Sequence, residues 1–305
     1  MNRRRFLKQV MLYSAGLSAS VPLFRIEEVV SAPIPMADVA RVTGSDYPAL
    51  VRKTIDLLGG MTAFVNSGDR VVIKPNIGWD RRPEQAATTH PLVVVTLIEL
   101  ALEAGAAEVA VFDYTCNEKR RCYNSSGMAE AIASLDESRV KLSHIDNRKF
   151  VPVKIARGKA LKEWQIYQDA LQADCYINVP VAKHHGLSRL TLGLKNSMGV
   201  IGGNRGRLHH NLGQNLADLA TVIKPSLTVV DATRILLDNG PQGGSLEDVK
   251  ILDTLLASTD PVAADALATT LFGLQPGDIA STVAAHEMGL GQMDPARMRL
   301  LEGAL

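Results

Sequence analysis

The chain of 305 residues, 46% apolar and 21% charged, is long and apolar enough to bury a substantial core, which excludes disordered and fibrous classes. Its 33 Lys and Arg residues against 32 Asp and Glu leave a formal charge of +1, so no net field holds it to nucleic acid or to an anionic membrane. Three cysteines (Cys116, Cys122 and Cys175) show no CxxC spacing, so neither a four-cysteine zinc site nor an iron–sulfur cluster is expected in this chain.

The first element is an address. A basic head, Arg3-Arg4-Arg5-Phe6-Leu7-Lys8, precedes a weakly apolar run from Val10 to Phe24. This is the layout of an export signal, and Arg-Arg-x-Phe-Leu-Lys resembles the twin-arginine type. The resemblance implies the twin-arginine export machinery as partner and a periplasmic or otherwise exported location. The run is shorter than the roughly 20 apolar residues that span a bilayer, so no stable membrane span is expected in the mature chain. Residues 1–32 are assigned to the signal and 33–305 to one α/β domain.

Beyond the signal, short β-rich runs alternate with helical stretches. Strands are predicted at Ala37–Val42, Arg70–Ile77, Glu108–Tyr114, Lys141–Ile145, Val151–Ile155, Cys175–Val179 and Leu227–Asp231. Helices are predicted at Tyr47–Leu58, Pro91–Ala104, Met128–Leu135 and Asn215–Val222, while Val249–Leu256 fits either state. Asp260-Pro261 sets a helix start, with Asp as cap and Pro in the first helical position, running to about Leu271. The alternation predicts an α/β fold with a largely parallel or mixed sheet and helices on its faces.

In open α/β sheets, ligands sit beyond the carboxyl ends of the strands. Predicted strands deliver Lys74-Pro75-Asn76, Asp113-Tyr114 and Asp231 to such ends, and Lys183-His184-His185 after a short turn. The stretch from Cys175 to Ala217 contains no Asp or Glu, and Lys183–His210 holds four of the seven histidines. Its glycines, Gly202 and Gly203 among them, let backbone amides approach a ligand, and amides and cations together suit a carboxylate or phosphate. No GxxxxGK[ST], strand–GxGxxG–helix or GxSxG pattern supports nucleotide binding or serine catalysis. Cys116 and Cys122 flank a basic loop and are read as a plain loop pair. In an extended segment His184 and His185 point to opposite faces, so at most one of them enters a common site. A divalent metal held by His184, His209 and Asp231 is a candidate site; acid/base or hydrogen-bonding histidines are the simpler reading.

Several pieces carry a family resemblance. They are Gly68-Asp69-Arg70-Val71-Val72-Ile73-Lys74-Pro75-Asn76, Thr89-His90-Pro91, Asn178-Val179-Pro180-Val181-Ala182-Lys183-His184-His185, Thr191-Leu192-Gly193-Leu194-Lys195-Asn196-Ser197-Met198-Gly199, Val229-Val230-Asp231-Ala232, Gly240-Pro241-Gln242-Gly243-Gly244 and Ser258-Thr259-Asp260-Pro261-Val262-Ala263-Ala264-Asp265. In these pieces and their order the chain resembles the family known as domain of unknown function 362. Many members carry a ferredoxin-like cysteine module that this chain lacks, so electron transfer is not implied. More distantly, it resembles lactate-racemase-like proteins, which use histidines as acid/base groups and a lysine that tethers a nickel pincer cofactor. That resemblance implies Lys195 in the lysine part, His90, His184 or His185, and His209 as proton carriers, and a nickel-containing cofactor.

Two functional classes follow. The first is an exported enzyme acting on a small anionic substrate, possessing a racemase- or isomerase-like character. Its catalytic candidates are His90, His184, His185, Lys195 and His209; its substrate-binding candidates are Lys74, Asn76, Lys183, Asn196, Gly202, Gly203 and Asp113. The second is a periplasmic binding or carrier protein that uses the same cleft without chemistry.

Overall fold

The computed structural model describes residue 34 and residues 36–305; the expected export signal lies outside the described residues. The strands are β1 (Ala37–Thr43), β2 (Arg70–Pro75), β3 (Glu108–Val111), β4 (Val140–Leu142), β5 (Phe150–Lys154), β6 (Glu163–Tyr167), β7 (Cys175–Val179), β8 (Val181–His185), β9 (Arg189–Thr191), β10 (Leu227–Leu236), β11 (Val249–Ser258) and β12 (Met298–Ala304). The helices are α1 (Tyr47–Asp56), α2 (Pro91–Glu103), α3 (Lys119–Ser125), α4 (Met128–Ala133), α5 (Gln168–Leu171), α6 (Gly193–Asn196), α7 (Leu212–Ala220), α8 (Pro261–Thr270) and α9 (Ala280–Glu287).

Ten strands form one mixed sheet in the order β12-β1-β11-β10-β7-β2-β3-β4, with β8 paired to β10 and β9 paired to β8. From β10 to β4 the neighbours run parallel, whereas β11 is antiparallel to both β10 and β1. Strands β5 and β6 pair separately as an antiparallel hairpin. The period of two along a strand splits the core. Val71 and Ile73 face a core completed by Leu50 and Val51 of α1 and Val93 and Leu97 of α2. Val72 faces the opposite one, with Phe112, Tyr176 and Leu216 and Leu219 of α7. The Asp260 cap forms as predicted, its Oδ1 accepting from the amides of Val262 (2.8 Å) and Ala263 (2.9 Å).

Three readings of the chain change. Lys183-His184-His185 do not follow a turn; they lie in β8. Pro180 has no amide hydrogen with which to extend the ladder, but its carbonyl accepts from Asp231 N at 2.8 Å and the chain continues extended along β10. The strand at Leu227 runs on to Leu236, and of the two states open to Val249–Leu256 the strand forms, as the antiparallel partner Val249–Ser258. Strands β6, β9 and β12 and helices α3, α5, α6 and α9 have no counterpart in the sequence reading; β9, α5 and α6 hold only three or four residues, too few to display a period, and β12 is an edge strand whose residues are mostly exposed. Among the described residues no helix is long and apolar enough to cross a membrane.

Candidate functional site

The carboxyl ends of β2, β3 and β8 open onto a cavity of about 430 Å³. Alternation in β8 turns Lys183 and His185 into it, and the β8–β9 register sets Thr191 opposite Lys183 on the same wall. The turn α6 and the chain after it supply Lys195, Asn196, Met198 and Gly199, and the following loop supplies Arg205 and His209. Four cationic side chains, Lys74, Lys183, Lys195 and Arg205, thus line a cavity that holds a single carboxylate, Asp113.

The floor is a connected polar network. Lys74 Nζ, fully buried, lies 2.7 Å from Asp113 Oδ1 and donates to Asn196 Oδ1 (3.0 Å) and Pro75 O (2.7 Å). Burial pushes the Lys74 ammonium below its ordinary value, and the adjacent carboxylate pulls it back up. Asp113 also accepts from Ile77 N at 2.6 Å. Asn196 accepts from Asn76 Nδ2 (3.1 Å) and donates to Asn178 Oδ1 (2.9 Å), so both its polar atoms are committed to holding the floor. Lys183 donates to Ala87 O (2.5 Å) and Asn76 Oδ1 (3.3 Å), and burial lowers its ammonium to about 7. Gly199 is needed for the close approach: a Cβ there would stand 1.8 Å from Asp113 Oδ1 and 2.5 Å from Lys74 Nζ.

Lys195 differs from the other two lysines. Among the described residues it meets no oxygen acceptor; its Nζ contacts only Met198 Sδ, at 3.5 Å. Burial lowers its ammonium to about 8, partly opposed by the Cys116 thiol. Its place is set by Asp265 of α8, a buried carboxyl that accepts from Gly193 N (2.6 Å) and Leu194 N (2.9 Å) at the start of α6. Burial outweighs these two donors and raises the Asp265 carboxyl to about 7.

The two imidazoles of the cavity stack with ring centroids 6.4 Å apart. His185 Nδ1 accepts from the amides of Leu187 (3.1 Å) and Ser188 (3.3 Å), a network that places its proton on Nε2. Burial and the neighbouring lysines lower its pKa to about 3, so it is a neutral donor at neutral pH. His209 Nδ1 sits 3.2 Å from Gly206 O; donation to that carbonyl leaves Nε2 as an acceptor.

The remaining sequence candidates lie elsewhere. His90 caps α2, its Nδ1 accepting from Leu92 N, and packs edge-on against Tyr47 in a separate hollow. His184, turned away by alternation, accepts from Gly240 N at 3.1 Å and fixes that loop against β8. Gly202 and Gly203 do not line the cavity: Gly202 seats the β5–β6 hairpin, lying against Phe150 and donating to Gln165 O at 2.9 Å. The metal set His184, His209 and Asp231 does not converge. Asp231 accepts from His90 N (2.7 Å) and Thr233 Oγ1 (2.7 Å), and among the described residues no three His, Cys, Asp or Glu side chains gather as a ligand set.

Sequence reasoning missed Trp79, Thr191 and Arg205 as lining groups, and Asn178 and Asp265 as supports. Arg205 stacks 3.8 Å over the Tyr114 ring and donates to Met198 O at 3.2 Å, tying two cavity loops together. Cys116, read as a loop residue, is exposed at the cavity wall, while Cys122 is buried and its thiol is pushed up to about 11. Asn178 and Asp265 stand inside the motif pieces quoted above, and a polar residue amid apolar strand or helix neighbours was the available signal.

Among curated proteins, the chain is 28% identical over 257 residues to a thylakoid-associated protein of Synechocystis, covering 79% of this chain and 75% of that one. Among solved structures, it is similar to a protein of Thermotoga maritima (TM-score 0.43, 10% identity, 74% of this chain and 59% of that one). It is also similar to the lactate racemase apoprotein of Thermoanaerobacterium thermosaccharolyticum (TM-score 0.43, 12% identity, 81% of this chain and 58% of that one). The chain spans less than two thirds of either solved chain. The family described as Domain of unknown function (DUF362) matches residues 71–270, well over half of the sequence, and the chain belongs to that family.

Proposed function

We propose that the protein is an exported enzyme that binds a small anion, a carboxylate or a phosphate, in the cationic cleft and moves a proton on it, as a racemase or isomerase does. One observation carries this reading: four cations face one carboxylate, and Lys195 has no oxygen partner of its own among the described residues. A buried ammonium without an acceptor is costly, and an incoming oxyanion relieves that cost. Lys195 and the Nε2 of His209 are the proton carriers, because both line the cavity and neither polar tip is tied to the floor. Neutral His185 donates from Nε2 to the bound anion, and Lys183 holds charge behind it. Export rests on the basic head and weak apolar run of residues 1–32. Arg3→Lys with Arg4→Lys is expected to leave the protein in the cytoplasmic fraction.

The test is deuterium exchange, followed by NMR, at the carbon bearing the carboxylate in a panel of small carboxylic acids. The wild type exchanges at least one acid; Lys195→Met and His209→Ala abolish exchange while binding weakens modestly. The saturated hydrogen bonding of the floor favours a second reading, a carrier that binds without chemistry. In that case calorimetry detects binding, no acid exchanges, and the same substitutions lower affinity alone.

A further inference from the structure

The cavity is larger than its charges require, and its lining is divided. A water molecule occupies about 30 Å³ of liquid, so a lone acetate or phosphate ion displaces only a few waters from a cavity of about 430 Å³. The deep part carries Lys74, Lys183, Thr191 and Asn196, all buried. Among the described residues Thr191 Oγ1 is buried with no hydrogen-bond partner, a second open polar group in the cavity that Lys195 lines without an oxygen partner. The less buried part of the lining carries the apolar side chains of Trp79, Leu187, Met198 and Pro241 beside Tyr114, Arg205 and His209. Leu187 is 73% exposed, the most exposed large apolar side chain among the described residues, and it stands at the rim of this cavity. An apolar rim over a cationic floor suits a ligand with the same division.

We infer that the ligand is an amphipathic anion: a carboxylate or phosphate head on the Lys195 and Thr191 end, carrying an apolar body against Trp79, Leu187, Met198 and Pro241. This rests on the anion-binding reading given above and narrows it. A bare ion satisfies the polar end and leaves the apolar wall wet; the apolar body adds the hydrophobic gain of covering that wall.

The experiment compares paired probes on the full chain: acetate with phenylacetate, and inorganic phosphate with phenyl phosphate, by calorimetry. The phenyl member of each pair is expected to bind about tenfold tighter or more, the gain from burying one ring. Trp164 is bonded through Nε1 to Gly202 O (3.0 Å) and does not line the cavity, so Trp164→Phe leaves Trp79 as the sole indole reporter of the two in the chain. In that variant the phenyl probes shift the emission of Trp79 and the bare ions do not. Leu187→Ser, on an exposed side chain, shrinks the phenyl-to-bare affinity ratio. Equal affinities within each pair would overturn the amphipathic ligand and leave the anion site standing. Benzyl alcohol binding as tightly as phenyl phosphate would overturn the charged head. Failure of all four anions to bind removes the anion site and this inference together.

Discussion

Two hollows lie at the same edge of the sheet and use the same kinds of residue. In the outer one, Tyr47 Oη donates to Asp253 Oδ1 (2.9 Å), Arg234 donates to Tyr47 Oη (3.1 Å), and His90 and Thr233 donate to Asp231. Arg234 and Tyr47 thus meet protein acceptors, and the cluster joins α1, β10, β11 and the start of α2. In the inner one, Lys74, Asp113, Asn76 and Asn196 satisfy one another in the same way, but Lys195 and Thr191 are left open. A titratable residue at a strand end therefore does not mark a site. An unfilled hydrogen-bonding valence beside open space does.

The contrast breaks most sharply at Asp113. Asp113→Ala leaves Lys74 buried without its counter-ion and is expected to cost about 3–5 kcal/mol of stability in denaturant unfolding. Gly199→Ala comes next. Its methyl enters the space of the Asp113–Lys74 pair, and about 1–3 kcal/mol is expected to be lost, with the anion site distorted, as read by unfolding and by ligand titration.

The third effect is a pH dependence. Lys183 and Lys195 lose their protons near 7 and 8, so the cleft sheds positive charge as pH rises through those values. Anion affinity is expected to fall about tenfold between about pH 6 and about pH 9, and the fall should flatten in Lys195→Met. The sign for stability is opposite. The unfolded chain keeps the Lys183 proton up to its ordinary value of 10.5, so this group adds stability as pH rises above about 7. Asp265 supplies the other limb. Its carboxyl is raised from 3.8 to about 7, so its contribution is present at low pH and is lost as pH climbs toward 7. Together the two groups contribute a stability minimum near neutrality, which Lys183→Met and Asp265→Asn should each fill from one side in pH-resolved unfolding. The smallest effect sharpens the contrast from the other direction. His90→Ala removes the α2 cap, costing about 1 kcal/mol, and is expected to leave anion affinity unchanged in calorimetry.

Much of the fold was legible because long elements announce themselves. Arg70–Pro75, Pro91–Glu103 and Pro261–Thr270 carry a period, a cap or a starting proline that acts within a few residues. The site was legible in part. Lys74, Asn76, Asp113, Lys183, His185, Lys195, Asn196 and His209 meet in one cavity, whereas His90, His184, Gly202, Gly203 and Asp231 serve caps, loops and the hairpin. Sequence spacing could separate His184 from His185, since alternation is local. It could not tell which of the two faced the cavity, because that depends on β8 lying beside β10 rather than in a turn.

By itself, the sequence determined an alternating α/β chain, a family, and a stretch free of acidic residues in which basic side chains and glycines concentrate. These are local properties, set by propensity, period and composition within short windows. Only the tertiary structure decided which lysine stands alone. The charge state and partners of a side chain depend on groups far away in the chain, as Asn196 does on Lys74 across 122 positions and Asp265 on Gly193 across 72. Three lysines that look alike in the sequence become an ion-paired brace, a buried donor and an open amine because burial and neighbours, not residue type, set their energies.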